Sequence, residues 1–420
     1  MNKEIIVRPK YLDRIMKFVD IPTIKVLTGI RRCGKSNIIF MIMDELKSRG
    51  IPKENLVYFD FSEPQWEDEK MQVVFEKVKS KLAPEGKTYL FLDEVQEIKS
   101  WERMVNTLNQ KREFDVDVYI TGSNSRMLST EIETYLTGRI TTISIWTLSF
   151  AEYLDFRKRY KEIGNPKDEL YNYLEFGGFP ATHLREMDRA DIYTMVKDIY
   201  NTVIFNDIIK RNQIRKVDLL ERIVKFAFAN VGSIFSSNSV SKYVKSEQRK
   251  VDVETVYSYL GKLAGAHILK KCSRYDLKGK EILKTFEKYY IADTSLRHAV
   301  LGFNKDAFSG LLENVVYIEL LRRGYEVYVG KYNDLEIDFV AEMQGERIYI
   351  QVAQEIRDEK TIDREYENLL KIQDNYPKYV LSTQDLAAGN FEGIKSMHIA
   401  DWLLADSSAI GESGLPRVKR

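Results

Sequence analysis

The residues with the clearest chemistry form a glycine-rich stretch near the N-terminus. Gly29, Gly34, Lys35 and Ser36 complete the pattern G-x-x-x-x-G-K-[ST]. The glycines let the backbone curl so that its N–H groups point at phosphate oxygens, and a following helix adds its N-terminal dipole. Lys35 would reach the outer phosphates of ATP, and the Ser36 hydroxyl would bind Mg²⁺. The predicted nucleotide-binding residues are Gly29, Ile30, Arg31, Arg32, Cys33, Gly34, Lys35, Ser36 and Asn37. A glycine-containing connecting loop without a ligand is the alternative.

A second motif is an apolar run that ends in two carboxylates, Asp93 and Glu94. Ligands of open α/β sheets bind at the carboxyl edge of the strands, where this run would end. Asp93 would hold Mg²⁺ through water, while Glu94 would orient and deprotonate the water that attacks the γ-phosphate. Two acids that merely solvate a strand end are the alternative. Beside a phosphate-binding loop, the pair predicts hydrolysis of ATP.

Two further polar positions are candidates for the same site. Asn124, or Ser123 beside it, follows an apolar run and could hydrogen-bond the attacking water or the γ-phosphate. Arg139 could stabilise charge on the transferred phosphoryl group, either within the chain or across subunits. A local turn residue and a surface arginine are the alternatives for these positions.

The elements that must position these residues alternate along the first third of the chain. Apolar runs typical of strands are separated by helical patterns, which predicts a parallel sheet covered on both faces. The predicted strands are Ile24–Thr28, Leu56–Asp60, Thr88–Asp93, Val116–Thr121 and Ile140–Ile145. The run Asn37–Lys47, which follows the glycine-rich loop, predicts a buried helix.

The rest of the chain predicts three further folded parts and a tail. Residues 148–228 are rich in helical patterns, and Gly177–Pro180 is their one strong turn. Residues 229–300 combine the helices Ser239–Ser246 and Val253–Leu263 with two short strands, an order typical of a winged helix. The predicted domains are 1–147, an ATPase domain; 148–228, a helical lid; 229–300, a winged helix; 301–405, a small α/β domain; and 406–420, a disordered tail.

In these motifs the chain resembles the prokaryotic AAA+-type P-loop ATPases that carry an uncharacterised C-terminal domain. The stretches that carry the resemblance are Thr28–Ser36, Phe91–Gln96, Ile120–Ser125, Leu136–Arg139, Phe176–Pro180 and Glu336–Val340. The roles that it implies are Walker A for Lys35 and Ser36, Walker B for Asp93 and Glu94, the sensor position for Asn124 and a candidate arginine finger for Arg139. It implies an α/β fold with an AAA+-like parallel sheet.

Residues 301–405 look like a PD-(D/E)XK nuclease domain that has lost part of its site. Glu313 would lie on a helix, and Glu336 and Asp338 would share one face of a strand. The expected E-x-K reads Gln351-Val352-Ala353, so the lysine and one carboxylate are absent. Since such nucleases need both to stabilise the developing charge, we expect a nuclease-like fold without efficient cleavage. An active nuclease that recruits Lys360 is the alternative.

Composition narrows the remaining functions. The longest apolar run, Ile38–Met43, is far too short to span a membrane, and the N-terminus lacks the apolar core of a signal peptide, so we expect a cytoplasmic protein. Cys33 and Cys272 stand far apart and predict free thiols. The winged-helix segment is basic, and DNA would be its partner if Lys242, Lys245, Arg249, Lys250, Lys262 and Arg274 contact phosphates; a solvated charged face is the alternative.

The leading prediction is an ATPase whose nucleotide state rearranges its C-terminal domains. A nucleotide-gated DNA-binding protein with negligible turnover and an ATP-dependent nuclease are the rivals. A homo-oligomer is possible for each of the three, because an arginine finger can act within one chain or across subunits.

Overall fold

The structure is a computed structural model, and it describes residues 6–110, 113–124, 138–235, 253–355, 359–384 and 390–405. The chain divides into two compact units. The first comprises residues 1–146 together with 265–267, and the second comprises residues 147–264 together with 268–420. Within the described ranges, no helix is both long enough and apolar enough to cross a membrane.

The first unit is built on a five-stranded sheet whose strands all run parallel, in the order β2-β3-β4-β1-β5. The strands are Ile24–Thr28 (β1), Leu56–Asp60 (β2), Thr88–Asp93 (β3), Val116–Gly122 (β4) and Ile140–Ser144 (β5). All five were predicted, and the bounds of the first three match residue for residue. Strands β1 and β3 are buried along their whole length, as expected when helices cover both faces of a parallel sheet.

Among the described residues, four α-helices accompany this sheet: Pro9–Met16 (α1), Lys35–Ser48 (α2), Met71–Lys79 (α3) and Trp101–Gln110 (α4). Helix α2 begins directly after Gly34, whose φ of 102° is a conformation that glycine adopts without strain. On one face of the sheet, Val74, Leu90, Met104, Val105 and Ile120 are among the residues that pack into a shared core. The unit therefore contains the strand, loop and helix arrangement that the glycine-rich motif requires.

A buried ion pair joins β1 to β4 near their amino ends. Lys25 and Asp117 form it; the side chain of Lys25 is fully buried and that of Asp117 is 4% exposed. The Tyr119 hydroxyl and the Asp20 backbone N–H also donate to Asp117, at 2.9 Å and 3.0 Å. Burial lowers the pKa of Lys25, and the charge of Asp117 opposes that effect. Asp117 therefore accepts hydrogen bonds from three donors at the amino end of the sheet, opposite to the glycine-rich loop.

The second unit begins with helices, as predicted for residues 148–228. They are Phe150–Arg157 (α5), Pro166–Phe176 (α6), Arg189–Thr202 (α7), the π-helix Val203–Lys210 and Val217–Ala229 (α8). Gly177 ends α6 with a φ of 67°, and the Gly178 N–H donates to the buried Asp293 carboxylate at 2.8 Å. The predicted turn at Gly177–Pro180 is thus held by a residue far along the chain.

The same unit contains an eight-stranded mixed sheet, in the order β12-β13-β11-β10-β9-β8-β6-β7. Its strands are Leu269–Asp276 (β6), Glu281–Ile291 (β7), Glu326–Tyr332 (β8), Leu335–Met343 (β9), Glu346–Ala353 (β10), Lys378–Ser382 (β11), Asn390–Phe391 (β12) and Ile394–His398 (β13). The described helices after α8 are Val253–Gly265 (α9), Thr294–Leu301 (α10), Phe308–Arg323 (α11), Glu359–Leu370 (α12) and Ile399–Leu404 (α13).

The predicted winged-helix segment is only partly described. Its second helix appears as α9 and its two strands as the antiparallel hairpin β6–β7. The predicted helix Ser239–Ser246 lies outside the described residues, as does the predicted tail, 406–420. The β6–β7 hairpin joins the sheet of the predicted C-terminal domain through a parallel contact between β6 and β8. The winged helix and the predicted domain boundaries stay predictions.

Replacing Asp117 by Ala should destabilise the protein by about 3–5 kcal/mol, because it leaves the buried Lys25 ammonium without its counter-charge. Chemical denaturation followed by circular dichroism measures the difference. Asp115→Ala, at an exposed position two residues earlier, is the matched control and should change the free energy of unfolding by less than about 0.5 kcal/mol. Equal losses in the two variants would show that the buried pair does not stabilise the sheet.

Candidate nucleotide site

The glycine-rich loop connects the carboxyl end of β1 to the first turn of α2. Arg32 and Gly34 have positive φ angles of 66° and 102°, which curl the backbone between the strand and the helix. Gly29 packs so closely that a Cβ atom there would lie 2.0 Å from the carbonyl oxygen of Ile145. A side chain at position 29 would therefore displace the loop. The local backbone has the tight curl that phosphate binding through main-chain N–H groups requires.

Lys35 is the buried cation of this loop. Its Nζ donates to the carbonyl oxygens of Gly29 and Ile30 at 3.1 Å and 3.4 Å. The same nitrogen lies 3.5 Å from Glu94 Oε1, and the Lys35 side chain is only 3% exposed. The ammonium thus lies between the loop carbonyls and a carboxylate, with partners that a phosphate group could replace.

Asp93, the last residue of β3, is surrounded by hydroxyl groups. The Tyr58 hydroxyl donates to its Oδ2 at 3.0 Å, and the Thr121 hydroxyl donates to its Oδ1. Burial raises the pKa of Asp93 above its ordinary value, while hydrogen bonds from Ser36, Thr121 and Tyr58 oppose that rise. The predicted metal-binding pair, Ser36 and Asp93, is therefore brought into direct contact.

Glu94 is held in an unusual backbone conformation next to Asp93. Its φ of 50° lies in the left-handed region, which a non-glycine residue adopts only when its surroundings hold it there. Its N–H donates to Thr121 Oγ1 at 2.9 Å, and the Gln96 side-chain amide donates to its carboxylate. Burial alone would raise the pKa of Glu94, but the charges of Lys35 and Arg31 hold it below the ordinary value. Glu94 is therefore ionised at neutral pH.

Thr121 connects the two acidic residues. Its single hydroxyl accepts the Glu94 N–H and donates to the Asp93 carboxylate. Thr121 lies near the end of β4, and β4 lies between β1 and β3 in the sheet. This order places the end of β4 between the glycine-rich loop and the acidic pair, so one side chain can order both carboxylates.

Two residues outside the motifs contact the loop or the residue before it: Arg8 and His267. Arg8 is buried, and its guanidinium donates to the carbonyl oxygens of Cys33 and Trp146 at 3.2 Å and 3.0 Å. The Cys33 thiol is completely buried, and burial raises its pKa. At the start of the loop, the Thr28 hydroxyl is hydrogen-bonded to His267 Nε2 at 2.9 Å. His267 belongs to the short segment Gly265–His267 that groups with the first unit.

The remaining predicted site residues divide into two groups. Ser123 and Asn124 are buried directly after β4, at the same sheet edge as Asp93 and Glu94. Arg139 instead precedes β5 at the opposite edge, where its carbonyl accepts the N–H of Ile24 and its side chain lies 3.4 Å from Asn106. Within one chain, the structure does not bring Arg139 to the loop. A role across subunits stays a prediction.

The predicted DNA-binding residues are mostly not described. Lys242, Lys245, Arg249 and Lys250 lie outside the described residues. Of the two that are described, Lys262 is half-buried on α9, whereas Arg274 is largely buried and lies 3.9 Å from Glu336. Arg274 therefore has an acidic neighbour within the protein. The side chain of Lys360, proposed for an active nuclease, also lies outside the described part of the chain.

Sequence reasoning missed three side chains that order the site. Thr121 lies within Ile120–Ser125, one of the stretches that carry the family resemblance, but the resemblance implies no role for it. Tyr58 belongs to a different strand from Asp93, and a tyrosine in the middle of a strand carries no motif of its own. Gln96, two residues after Glu94, could have been noticed as a nearby amide donor. The contacts of Thr121 and Tyr58 arise from strand order, which spacing along the chain does not reveal.

Comparison with known proteins gives the family. Residues 22–154 match a family model described as an AAA domain, and residues 167–307 match a domain of unknown function. An uncharacterised protein of Haemophilus influenzae is 36% identical over 96% of this chain and 100% of its own length. The uncharacterised protein MJ1544 of Methanocaldococcus jannaschii is 30% identical over 88% of this chain and 84% of its own length.

Among solved structures, the Walker-type ATPase PABY2304 of Pyrococcus abyssi is 15% identical, with a TM-score of 0.49 over 70% of this chain and 95% of that chain. The identities over nearly the full length carry the assignment. The chain belongs to the same family as the Haemophilus influenzae and Methanocaldococcus jannaschii proteins, and its residues 22–154 match an AAA domain.

Proposed function

We propose that this chain binds ATP with Mg²⁺ and hydrolyses it, and that the nucleotide state rearranges its C-terminal residues. One observation carries the proposal: a curled glycine-rich loop, a buried lysine and two carboxylates meet at the carboxyl edge of one parallel sheet. Such a combination provides a cradle for phosphates and a base for water at the same place.

Binding begins with an exchange of partners at Lys35. The ammonium donates to the carbonyl oxygens of Gly29 and Ile30 and lies 3.5 Å from Glu94. The outer phosphates of ATP offer stronger, charged acceptors in the space that the loop encloses. When Lys35 turns to them, its electrostatic contact with Glu94 weakens, so that carboxylate becomes available for chemistry.

The residues around Asp93 suit Mg²⁺. The Ser36 hydroxyl and the Asp93 carboxylate are oxygen donors in contact, and Mg²⁺ prefers such ligands together with water and phosphate oxygens. Burial raises the pKa of Asp93, so a positive charge beside it would stabilise its ionised form. Bound Mg²⁺ would supply that charge and neutralise the β- and γ-phosphate oxygens.

Hydrolysis then depends on Glu94. Before ATP binds, the charges of Lys35 and Arg31 lower the pKa of Glu94, so it enters the complex ionised and can accept a proton from the attacking water. As the water oxygen bonds to the γ-phosphorus, the bond from that phosphorus to the β–γ bridging oxygen breaks, and ADP and phosphate result. Gln96 donates to the Glu94 carboxylate and Thr121 accepts the Glu94 backbone N–H, so both residues restrict the position of the base.

Chain connectivity supports the link to the C-terminal residues. The segment Gly265–His267 groups with the first unit, while the residues before and after it belong to the second. Through His267 this segment is hydrogen-bonded to Thr28, which directly precedes the loop. A change in the loop on binding ATP would therefore act on a stretch that is covalently continuous with α9 and β6.

Replacing Lys35 by Ala should abolish detectable ATP binding, because it removes the one ammonium that lies within the loop. Equilibrium dialysis with labelled ATP and Mg²⁺ measures the affinity. Lys47→Ala, an exposed change at the far end of the same helix, should bind like the unaltered protein. If Lys35→Ala binds and hydrolyses ATP normally, the loop is not a nucleotide site.

Glu94→Gln should retain ATP and lose about 10²–10⁴-fold in phosphate release, because the amide cannot accept a proton from water. Steady-state phosphate release and ATP binding are measured on the same preparation. Glu97→Gln, an exposed change three residues on, should leave the rate unaltered. Persistent turnover in Glu94→Gln would mean that another group is the base. No turnover in the unaltered protein despite tight binding would favour a nucleotide-gated binding protein.

Thr121→Val should lower the rate of phosphate release roughly tenfold with little change in ATP affinity, because it removes a hydrogen bond worth about 1.4 kcal/mol to the arrangement of Asp93 and Glu94. Valine keeps the shape and suits a β-strand. Thr121→Ser retains the hydroxyl and should recover most of the rate. Equal rates in Thr121→Val and the unaltered protein would contradict this positioning role.

A further inference from the structure

The second unit contains a buried lysine that is surrounded by carboxylates. Lys288 lies on β7, and its side chain is 3% exposed. Its Nζ lies 3.1 Å from Glu313 Oε2, 3.0 Å from Glu336 Oε1 and 3.6 Å from Asp338 Oδ1. These four residues, Lys288, Glu313, Glu336 and Asp338, are called the carboxylate cage below. They come from one helix and two strands that are distant in sequence.

The surrounding structure holds the cage in place. The Tyr290 hydroxyl donates to the same Glu313 oxygen that Lys288 contacts, at 3.0 Å. Next to Glu313, the Asn314 side chain accepts the Ile291 N–H at 2.7 Å and donates to the Ile291 carbonyl at 2.9 Å. Helix α11 is therefore joined to the end of β7, so the lysine and Glu313 cannot separate without breaking buried hydrogen bonds.

Asp338 is oriented by the neighbouring strand. Its Oδ2 accepts the Val352 N–H at 2.9 Å, and its own N–H donates to the Gln351 side-chain oxygen at 3.1 Å. Its other oxygen, Oδ1, is left to face Lys288. Gln351, which replaces an expected carboxylate, thus serves the backbone of β9. The cation of the cage comes from β7, whereas the resemblance expected a lysine at the position of Ala353.

The charges in the cage show what the lysine does. Three carboxylates face one ammonium, and the guanidinium of Arg274 adds a more distant positive charge, 3.9 Å from Glu336. The ammonium lies within 3.6 Å of an oxygen of each of the three carboxylates and offsets part of their negative charge, so the cage depends on it.

We propose that Lys288 is a built-in cation that holds Glu313, Glu336 and Asp338 together in the place that a divalent metal ion would otherwise take. Carboxylates clustered around one position are the ligands that Mg²⁺ and Mn²⁺ require. Here a covalently attached ammonium fills that position, and with it in place the three carboxylates, like the other acidic, histidine and cysteine side chains in the described part of the chain, are not arranged to hold a metal ion. The cage is consequently independent of divalent metal, and removing the ammonium converts it into a metal site.

The test uses the full chain carrying Asp93→Ala, so that the candidate nucleotide site cannot take up the metal. Mn²⁺ binding is measured by electron paramagnetic resonance, and thermal unfolding is followed with and without Mn²⁺. The parent should bind no Mn²⁺ at the cage. Lys288→Met should gain a Mn²⁺ site and should show a melting temperature that Mn²⁺ raises by several degrees.

Three variants serve as controls. Lys288→Arg keeps the charge and should gain no site. Lys278→Met removes an exposed lysine in the turn between β6 and β7 and should behave like the parent. Adding Glu336→Gln to Lys288→Met should weaken the new Mn²⁺ site at least tenfold. A folded Lys288→Met chain that gains no Mn²⁺ site would overturn the proposal.

A second measurement does not need the lysine variant to fold. If the parent already binds Mn²⁺ and loses that site in Glu336→Gln, the ammonium does not take the place of metal and the proposal is wrong. Plasmid DNA incubated with the parent and Mn²⁺ should stay uncut. Cutting that disappears in Asp338→Asn would show a working nuclease centre and would likewise overturn the proposal.

Discussion

Each sheet of this protein contains buried charges, and a buried charge is stable only beside an opposite one. Leaving one partner of such a pair alone costs about 3–5 kcal/mol, a large part of the stability of an ordinary domain. Lys25 with Asp117, Lys35 with Glu94 and the carboxylate cage all meet this requirement. Every one joins residues that are distant in sequence, so the pairs also restrict which strands and helices can become neighbours.

The buried charges at the two ends of the parallel sheet have different kinds of partner. At the amino end, Asp117 accepts from three donors, and the protein itself supplies all of them. At the carboxyl end, Lys35 contacts loop carbonyls and a carboxylate that a charged ligand could replace. The ion pair at the amino edge therefore stabilises the strand order, while Lys35 at the carboxyl edge can exchange its protein partners for a charged ligand. The strained backbone at Glu94 belongs to this second edge.

Much of this arrangement could be predicted from the sequence, because it is encoded locally. Continuous apolar runs predicted the exact first and last residues of β1, β2 and β3, and two short motifs identified Lys35, Ser36, Asp93 and Glu94. What local patterns could not reveal are contacts set by strand order. Thr121 on β4 contacts Asp93 on the neighbouring strand β3, and Lys288 on β7 contacts Glu313 on α11. Arg139 shows the opposite error, since its position after a motif suggested closeness that the parallel direction of β5 prevents.

Cys33 lies in the middle of the glycine-rich loop, yet it is completely buried and burial raises its pKa. Because thiolates, not thiols, react with alkylating agents and peroxides, this position is chemically quiet. The same is true of Cys272, which burial also protects. The two thiols of the folded protein should therefore resist oxidants and thiol-modifying reagents, and rapid labelling of either thiol would report that its surroundings have opened.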